Sequence, residues 1–153
     1  MQYISLFSKE QVKVDDEDYA ELSKHTWYLV QGYARRYDKN GKGTYMHREL
    51  NKTPKGLVTD HINGDKLDNR KSNLRNATVS QNGVNANKKS NCRSKYKGVT
   101  FYKPKGTWRA RITVNRKEIC LGYHKTEVNA AIAYVQAATY YYGDYAKIDM
   151  SGF

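Results

Sequence analysis

The 153-residue sequence has few of the features that mark membrane, secreted or thiolate-metal proteins. No apolar run approaches the roughly 18–20 residues that span a bilayer. The N-terminal MQYISLFSKEQVKVDDEDY lacks the basic and then apolar order of a secretory signal. The two cysteines, Cys92 and Cys120, cannot form a four-thiolate zinc site, and we expect both to be reduced. These absences predict a cytoplasmic protein with no membrane contact.

Acidic residues are scarce in the middle of the chain. Residues 60–125 hold 16 of the 27 Lys and Arg residues but only four of the 15 Asp and Glu, so the whole net charge of +12 lies there. Such a block suits a polyanion, because each neutralised phosphate releases condensed counterions, and aromatic residues interleave the charge here. We predict a nucleic-acid partner over plain solvation of the charges. An anionic membrane surface is disfavoured, because no strongly amphipathic basic helix is visible.

Mean hydropathy is −0.90, so any core is lean, and residues 1–50 predict a small α+β piece. The run DDEDYAELSKHTW, from residue 15, predicts a helix with acids at its positive end. Strands are predicted around 27–30, 33–37 and 45–47, with Asn40-Gly41 as a turn. Residues 77–91 predict a short helix that passes into a basic linker around 84–94, which we take as a domain boundary.

From Ser94 on, apolar and polar residues alternate in three runs, at 99–102, 108–114 and 119–121. The pattern predicts a three-stranded antiparallel sheet with one apolar and one basic-polar face. TEVNAAIAYVQAATYYYG, residues 126–143, predicts a helix that begins after Thr126, ends at Gly143 and covers the apolar face. The open face would carry Arg109, Arg111 and Thr113. The predicted fold class is therefore α+β.

The segment VTDHINGDKLDNRKSNLRNAT, residues 58–78, combines a carboxylate, an imidazole and several amides. Turn chemistry explains Asn63-Gly64 and can explain Asn69, but not Asp60 and His61, which a strand would point to opposite faces.

Phosphodiester hydrolysis gives these side chains a purpose, because it needs a base near neutral pH and a cation to offset phosphate charge. His61 suits the base. Asp60, with an amide oxygen from Asn82, suits a hard cation such as Mg²⁺. Asn73, twelve residues after His61, has room to return and accept a hydrogen bond from the second ring nitrogen.

The same segment resembles the core of the HNH endonuclease family, in its homing-endonuclease-like branch. The family pattern is matched by Asp60-His61, Asn69-Arg70 and Asn73-Leu74-Arg75. YMHREL at 45–50 and DDEDYAELSKHTWY are similar to the segments that precede this core, so the match covers residues 10–88. The resemblance implies a ββα-metal fold of strand, hairpin and helix. His47 is expected to be a structural strand residue, a phosphate or metal contact being the alternative.

This resemblance also implies the roles of the site residues. His61 would be the general base and Asn73 the residue that orients it. Asp60 and Asn82 would ligate a divalent metal, Mg²⁺ with Mn²⁺ as the alternative. Water activated by His61 would attack phosphorus in line and leave 5′-phosphate and 3′-hydroxyl ends.

Residues 94–149 resemble the plant ethylene-response-factor (Apetala-type) DNA-binding domain, which also occurs fused to HNH nucleases. The resemblance is carried by Lys97-Gly98-Val99, by Trp108 followed by Ala110 and Ile112, by Leu121-Gly122 and by the alanine-rich run after Thr126. It implies a sheet that enters the major groove and reads bases with its outward residues. Plant members carry more Arg and Trp on the first strand, where this chain has Thr100 and Tyr102.

Together these patterns predict a nuclease domain at 1–83, a basic linker at 84–94 and a DNA-binding domain at 95–153. The expected function is sequence-directed, homing-type nicking or cleavage of double-stranded DNA by a phage- or bacterium-encoded enzyme in a bacterial cytoplasm. No small-molecule substrate is expected, and the oligomeric state is left open, a monomer included. The alternative is a sequence-specific DNA-binding regulator with an inactive nuclease core. The predicted DNA contacts are Arg70, Arg75, Lys88, Lys89, Arg93, Lys97, Thr100, Tyr102, Lys103, Lys105, Arg109, Arg111 and Thr113.

Overall fold

The computed structural model describes residues 1–86 and 93–147. The chain divides into two compact units, Met1–Thr78 and Val79–Phe153. Both mix helices with small antiparallel sheets, as the predicted α+β class requires. Each unit is described by itself below.

The first unit contains three antiparallel sheets, formed by β1 with β2, by β3, β4 and β5, and by β6 with β7. Two short helices, α1 and α2, complete it. The elements are β1 (Gln2–Ser5), β2 (Gln11–Val14), α1 (Asp16–Leu22), β3 (Tyr28–Val30), β4 (Tyr33–Tyr37), β5 (Gly43–Tyr45), α2 (Met46–Leu50), β6 (Val58–His61) and β7 (Leu74–Ala77).

Trp27 lies at the centre of this unit's core, 1% exposed. Its indole Nε1 donates to the carbonyl of Leu22 at 2.8 Å, so the largest core side chain also satisfies its one polar atom. The rest of the core comes from β1, β2, α1, β4 and α2 and from the chain just after β1, so a lean sequence still closes around one centre. Its other buried members are Ile4, Leu6, Val12, Val14, Leu22, Ala34 and Met46.

The predicted strand at 45–47 ends at Tyr45, because the chain turns there into α2. Met46 is fully buried and Leu50 packs on the same cluster, and this spacing of four residues suits a helix rather than a strand. His47 therefore lies on a helix, which corrects our expectation of a strand residue. The β1–β2 hairpin was not predicted.

The described part of the second unit is a three-stranded antiparallel sheet with two α-helices. Its elements are α3 (Val79–Asn85), β8 (Val99–Tyr102), β9 (Thr107–Val114), β10 (Lys117–His124) and α4 (Glu127–Tyr142), with strand order β10-β9-β8. The three strands coincide with the three alternating runs of the sequence. Ala110 and Ile112 are buried while Arg111 and Thr113 are exposed, so the period of two separates the faces.

Helix α4 covers the apolar face with small side chains. Thr126 caps its N-terminus by accepting a hydrogen bond from the Asn129 amide at 3.1 Å. Ala130, Ala131 and Ala138 are buried, so the helix packs closely on the sheet.

Part of the predicted linker is helical, since Val84 and Asn85 belong to α3. Lys88, Lys89 and Cys92 lie outside the described residues. Cys120 is exposed and forms no disulfide. Among the helices that are described, none is long and apolar enough to cross a membrane.

Candidate active site

The β6–β7 hairpin brings the predicted site residues together. In its register, Asp60 faces Arg75 and His61 faces Leu74. Asp60 and His61 are 2% and 5% exposed, which is unusual for neighbouring ionisable residues on one strand. Because strand neighbours point to opposite faces, the two side chains meet different partners.

The partner of Asp60 is the residue opposite it on β7. Arg75 Nε and Nη2 both lie 2.8 Å from Asp60 Oδ2. The pair is largely buried, with the Arg75 side chain 17% exposed. We predicted Arg75 as a DNA contact, and the structure instead directs its guanidinium to the predicted metal ligand.

Asn73 closes the long connection between the two strands. Its Oδ1 accepts from the Asn63 amide at 3.0 Å, and its Nδ2 donates to the Asp68 carbonyl at 2.8 Å and to Asn63 Oδ1 at 3.0 Å. It therefore ties the beginning and the middle of the loop to the start of β7. Asn73 was expected to bond the His61 ring directly, and these contacts give it a different way of positioning the hairpin.

Asp68 forms the second anchor of this loop. Arg70 grips its carboxylate with Nε at 2.7 Å and Nη2 at 2.6 Å, and Asn63 Nδ2 donates to it at 3.0 Å. The guanidinium of Arg70 holds the pKa of Asp68 below its usual range. Arg70, predicted as a DNA contact, is thus a structural partner in the loop.

Strand β2 supports the same loop from outside the hairpin. The Lys13 amide donates to the Leu67 carbonyl at 2.8 Å, and the Asn69 amide donates to the Lys13 carbonyl at 2.9 Å. These backbone bonds fix Asn69, 1% exposed, beside His61.

Asn69 is the residue that hydrogen-bonds the His61 ring, with Oδ1 3.1 Å from Nε2. An amide oxygen only accepts, so this bond places the proton on Nε2 and the lone pair of the neutral ring on Nδ1. Burial lowers the pKa of His61, while the bond to Asn69 and the nearby carboxylate of Asp60 oppose that shift. The neutral form, which a base requires, is therefore favoured.

An aromatic cluster also packs against the imidazole of His61. The ring of His47 stands edge-on to His61, with centroids 5.3 Å apart, and Tyr33 lies 4.8 Å from His47 and 5.9 Å from His61. Burial, and then the nearby His61, lower the pKa of His47 to about 3. His47 is thus neutral at physiological pH and packs beside the base.

The donor set of the hairpin fits a hard cation. Asp60 supplies carboxylate oxygen, and Mg²⁺ accepts few protein ligands and completes its shell with water and phosphate. Within residues 1–86 and 93–147, no group of three or more His, Cys, Asp or Glu side chains is placed to hold a metal.

Sequence comparison identifies the family of this hairpin. The family model described as HNH endonuclease matches residues 51–84. The chain is also 35% identical over 138 residues to a protein of Acanthamoeba polyphaga mimivirus described as an uncharacterized HNH endonuclease, covering 84% of this chain and 70% of that relative. The chain belongs to the HNH endonuclease family. The matched segment contains Asp60, His61, Asn73 and Asn82.

The HNH segment continues past the hairpin into α3. Asn82 lies there, half-buried, in the second unit, whereas Asp60, His61 and Asn73 lie in the first. The comparisons support a nuclease and give no support for the ethylene-response-factor-type module, which stays a prediction.

The open face of the β8–β10 sheet carries the predicted base-reading residues. Arg109 Nη2 and Arg111 Nη1 each lie 2.6 Å from a different oxygen of Glu118. Thr100 faces Arg109 across β8 and β9, and Tyr102 packs against Tyr123. One carboxylate thus holds two guanidinium groups side by side.

The basic residues around this sheet have different surroundings. Lys103 and Lys105 are exposed in the turn before β9, and Arg93 lies over the Phe101 ring at 4.4 Å. Lys97 is different, because its ammonium donates to three carbonyls of the second unit. Its predicted contact with DNA is therefore replaced here by an internal role.

Sequence reasoning missed Asn69 as the partner of His61, and it missed the part of Asp68 and Asn63 in the loop. Asn63 and Asn69 were interpreted as turn residues, and Asp68 was given no role. For Asp68 and Asn69 burial was the missing signal, since they are 0% and 1% exposed and turn residues are normally solvated.

Proposed function

We propose that this HNH protein is a metal-dependent endonuclease that hydrolyses phosphodiester bonds of double-stranded DNA. The observation that carries the proposal is the His61 imidazole, held by Asn69 in the tautomer of a base, one residue from the buried carboxylate of Asp60.

His61 takes a proton from water at Nδ1, and the water oxygen attacks phosphorus in line. The bond from phosphorus to the 3′ oxygen breaks and that oxygen takes a proton from solvent, which leaves 5′-phosphate and 3′-hydroxyl ends. Nε2–H stays bonded to Asn69 throughout, so the ring does not turn away as it gains charge. A positioned base of this kind contributes about 10²–10⁴-fold to the rate.

Asn73 acts through the loop. By tying Asn63 and Asp68 to the start of β7, it holds the strand pair on which His61 and Asp60 stand. It is a positioning residue.

Asp60 and Asn82 are the proposed ligands of the cation, which is Mg²⁺ or Mn²⁺. The bound cation would offset charge on the phosphate and on the leaving 3′ oxygen. Arg75 orients the Asp60 carboxylate beforehand, because its Nε and Nη2 both lie 2.8 Å from Oδ2.

The second unit is proposed to choose the site. Arg109 and Arg111, with Thr100, Tyr102 and Thr113, would enter the major groove, where an arginine reads guanine with about 1–3 kcal/mol of discrimination. Lys103, Lys105, Arg93 and the basic segment with Lys88 and Lys89 would follow the phosphates. The homing-type activity and the phage or bacterial origin belong to this proposal, which makes no choice of oligomeric state.

The test is nicking of supercoiled plasmid by the purified full chain, with Mg²⁺, with Mn²⁺ and with EDTA. We expect cleavage with either metal and none with EDTA. His61→Ala should lower the rate by about 10²–10⁴-fold and leave DNA binding unchanged. His25→Ala, which removes a histidine of the same unit away from the hairpin, should cut at the normal rate.

Binding without cleavage under every divalent ion would contradict the proposal and favour the DNA-binding regulator. Equal loss in the His61 and His25 variants would contradict the role of His61. Sequencing of cleavage sites on genomic DNA, with and without EDTA, supplies the target sequence for the binding experiments.

A further inference from the structure

The HNH segment and the fold divide the chain at different places. The family match extends to residue 84, yet the first unit ends at Thr78 and α3 belongs to the second. The helix that carries Asn82 is therefore built into the sheet-and-helix unit.

Helix α3 depends on that unit for its position. It has seven residues, too few to be stable alone in water. Val84, 6% exposed, packs in one cluster with Ile112 of β9 and with Tyr134 and Ala138 of α4. These contacts set the face that the helix turns to the sheet.

Lys97 holds the C-terminal end of the helix. Its Nζ donates to the carbonyls of Gly83 at 2.6 Å, Val84 at 2.8 Å and Ala86 at 2.6 Å. Carbonyls at a helix end lack partners within the helix and carry negative partial charge, so an ammonium there stabilises the end. The three donors of one lysine are all used in this way.

Gly98, the residue after Lys97, connects the Lys97 contacts with β9, the strand that carries the proposed base-reading arginines. The Gly98 carbonyl accepts from the Arg111 amide at 2.8 Å. Gly98 has φ +71°, and a Cβ there would clash with the Tyr134 ring and the Arg111 carbonyl, so the chain passes this point only as glycine. The residue next to Lys97 is thus hydrogen-bonded through its backbone to Arg111.

We propose that Lys97 is a positioning residue for catalysis, which fixes the metal-ligand helix α3 on the DNA-reading unit. The inference rests on the proposed function, in which Asn82 ligates the cation.

The test compares Lys97→Met with Lys97→Arg and Lys117→Met in the full chain. Hydrogen exchange of residues 79–85 without metal is the first readout. Lys97→Met should speed it on the order of tenfold, because a hydrogen bond to a charged group is worth about that factor. Lys97→Arg, which can still donate to the carbonyls, should restore protection. Lys117→Met removes an exposed charge from the same unit and should change nothing.

The second readout is Mn²⁺ affinity by calorimetry without DNA. Asn82→Ala should weaken binding, and Lys97→Met should weaken it on the order of tenfold. In the Asn82→Ala background, Lys97→Met should cause no further loss. Val84→Ala gives a second way to loosen the helix if Lys97→Met unfolds the unit, and it should speed exchange and weaken Mn²⁺ binding likewise.

The outcomes separate the two proposals. If Asn82→Ala leaves Mn²⁺ affinity unchanged, the ligand role of Asn82 is wrong. If Asn82→Ala weakens binding while Lys97→Met and Val84→Ala do not, the positioning role alone is overturned. If Lys97→Met weakens DNA binding with normal α3 exchange, Lys97 is a phosphate contact, which also overturns it.

Discussion

The two units of this chain use polar residues in opposite ways. Among the described residues, seven of the nine buried polar side chains lie between His47 and Asn73 in the first unit. In the second unit the arginines of the sheet lie on its open face, and the buried hydrophobic clusters consist of alanine, valine, isoleucine and tyrosine. Burying polar groups costs free energy unless they are hydrogen-bonded. In the first unit the buried polar side chains form a hydrogen-bond network that holds a few groups in fixed geometry. The second keeps its charges at the surface, where they can meet a partner.

The largest expected effect concerns the Asp60–Arg75 ion pair of the first unit. The Asp68–Arg70 ion pair of the same hairpin is the comparison. Arg75→Met leaves the Asp60 carboxylate without its guanidinium and should lower the free energy of unfolding by about 3–5 kcal/mol. If Asp60 ligates the cation, about 10 mM Mg²⁺ should restore part of the lost free energy of unfolding, because binding to the folded state stabilises it. Urea unfolding followed by fluorescence of the buried Trp27, in a Trp108→Phe background, measures this.

Arg70→Met is the matched control, since it removes the guanidinium from Asp68 in the same hairpin. Its stability should also fall, but Mg²⁺ should restore nothing. Restoration of both variants, or of neither, would show that Asp60 is not distinguished from Asp68 by the metal.

The next effect is acid sensitivity that belongs to the first unit. The pKa of His47 falls from the ordinary 6.5 to about 3 on folding. Between pH 6.5 and about 3, His47 binds a proton in the unfolded chain but not in the folded chain. The free energy of unfolding therefore falls as the pH is lowered through that window. The loss amounts to a few kcal/mol, about 1.4 kcal/mol for each pH unit.

His47→Phe should flatten this dependence, and His25→Gln, in the same unit, should leave it as it is. The measurement is the urea midpoint of Trp27 fluorescence at about pH 7, 5 and 4. These values sample the window in which the unfolded and folded chains differ in protonation of His47. Loss of the same slope in both variants would contradict the assignment to His47.

The smallest effect concerns the open sheet face. Arg111→Ala should weaken binding to the target sequence by about 1–3 kcal/mol and weaken nonspecific binding less. Arg116→Ala, which removes an exposed charge from the turn between β9 and β10, should weaken both equally and only slightly. Fluorescence anisotropy with target and scrambled duplexes at two salt concentrations makes the comparison. An equal loss in the Arg111 variant on both duplexes would make it a phosphate contact only.

The strands of the second unit were readable from the sequence because their alternation has a period of two over as many as seven residues. Helix α4 was readable from Thr126, the alanine spacing and Gly143. In the first unit, helix α2 is favoured because Met46 and Leu50 both pack in the shared core. A sequence window of five residues does not reveal that packing.

The active-site residues were visible as a motif, but their partners were not. Asn69 and Asn73 are both asparagines in the same loop, and only the folded backbone places Asn69 beside the His61 ring and Asn73 across the loop. Arg75 and Arg70 looked like phosphate contacts for the same reason, since a charge in a sequence carries no direction.

The sequence by itself determined the residue types that hydrolysis needs, the basic block that suits DNA and the alternation of the second unit, because these follow from composition and short-range periodicity. The tertiary structure decided which atoms meet. Arg75 lies on Asp60, Asn69 on His61 and Lys97 on the end of α3, because hydrogen bonds of about 3 Å between residues distant in sequence depend on how the chain closes on itself.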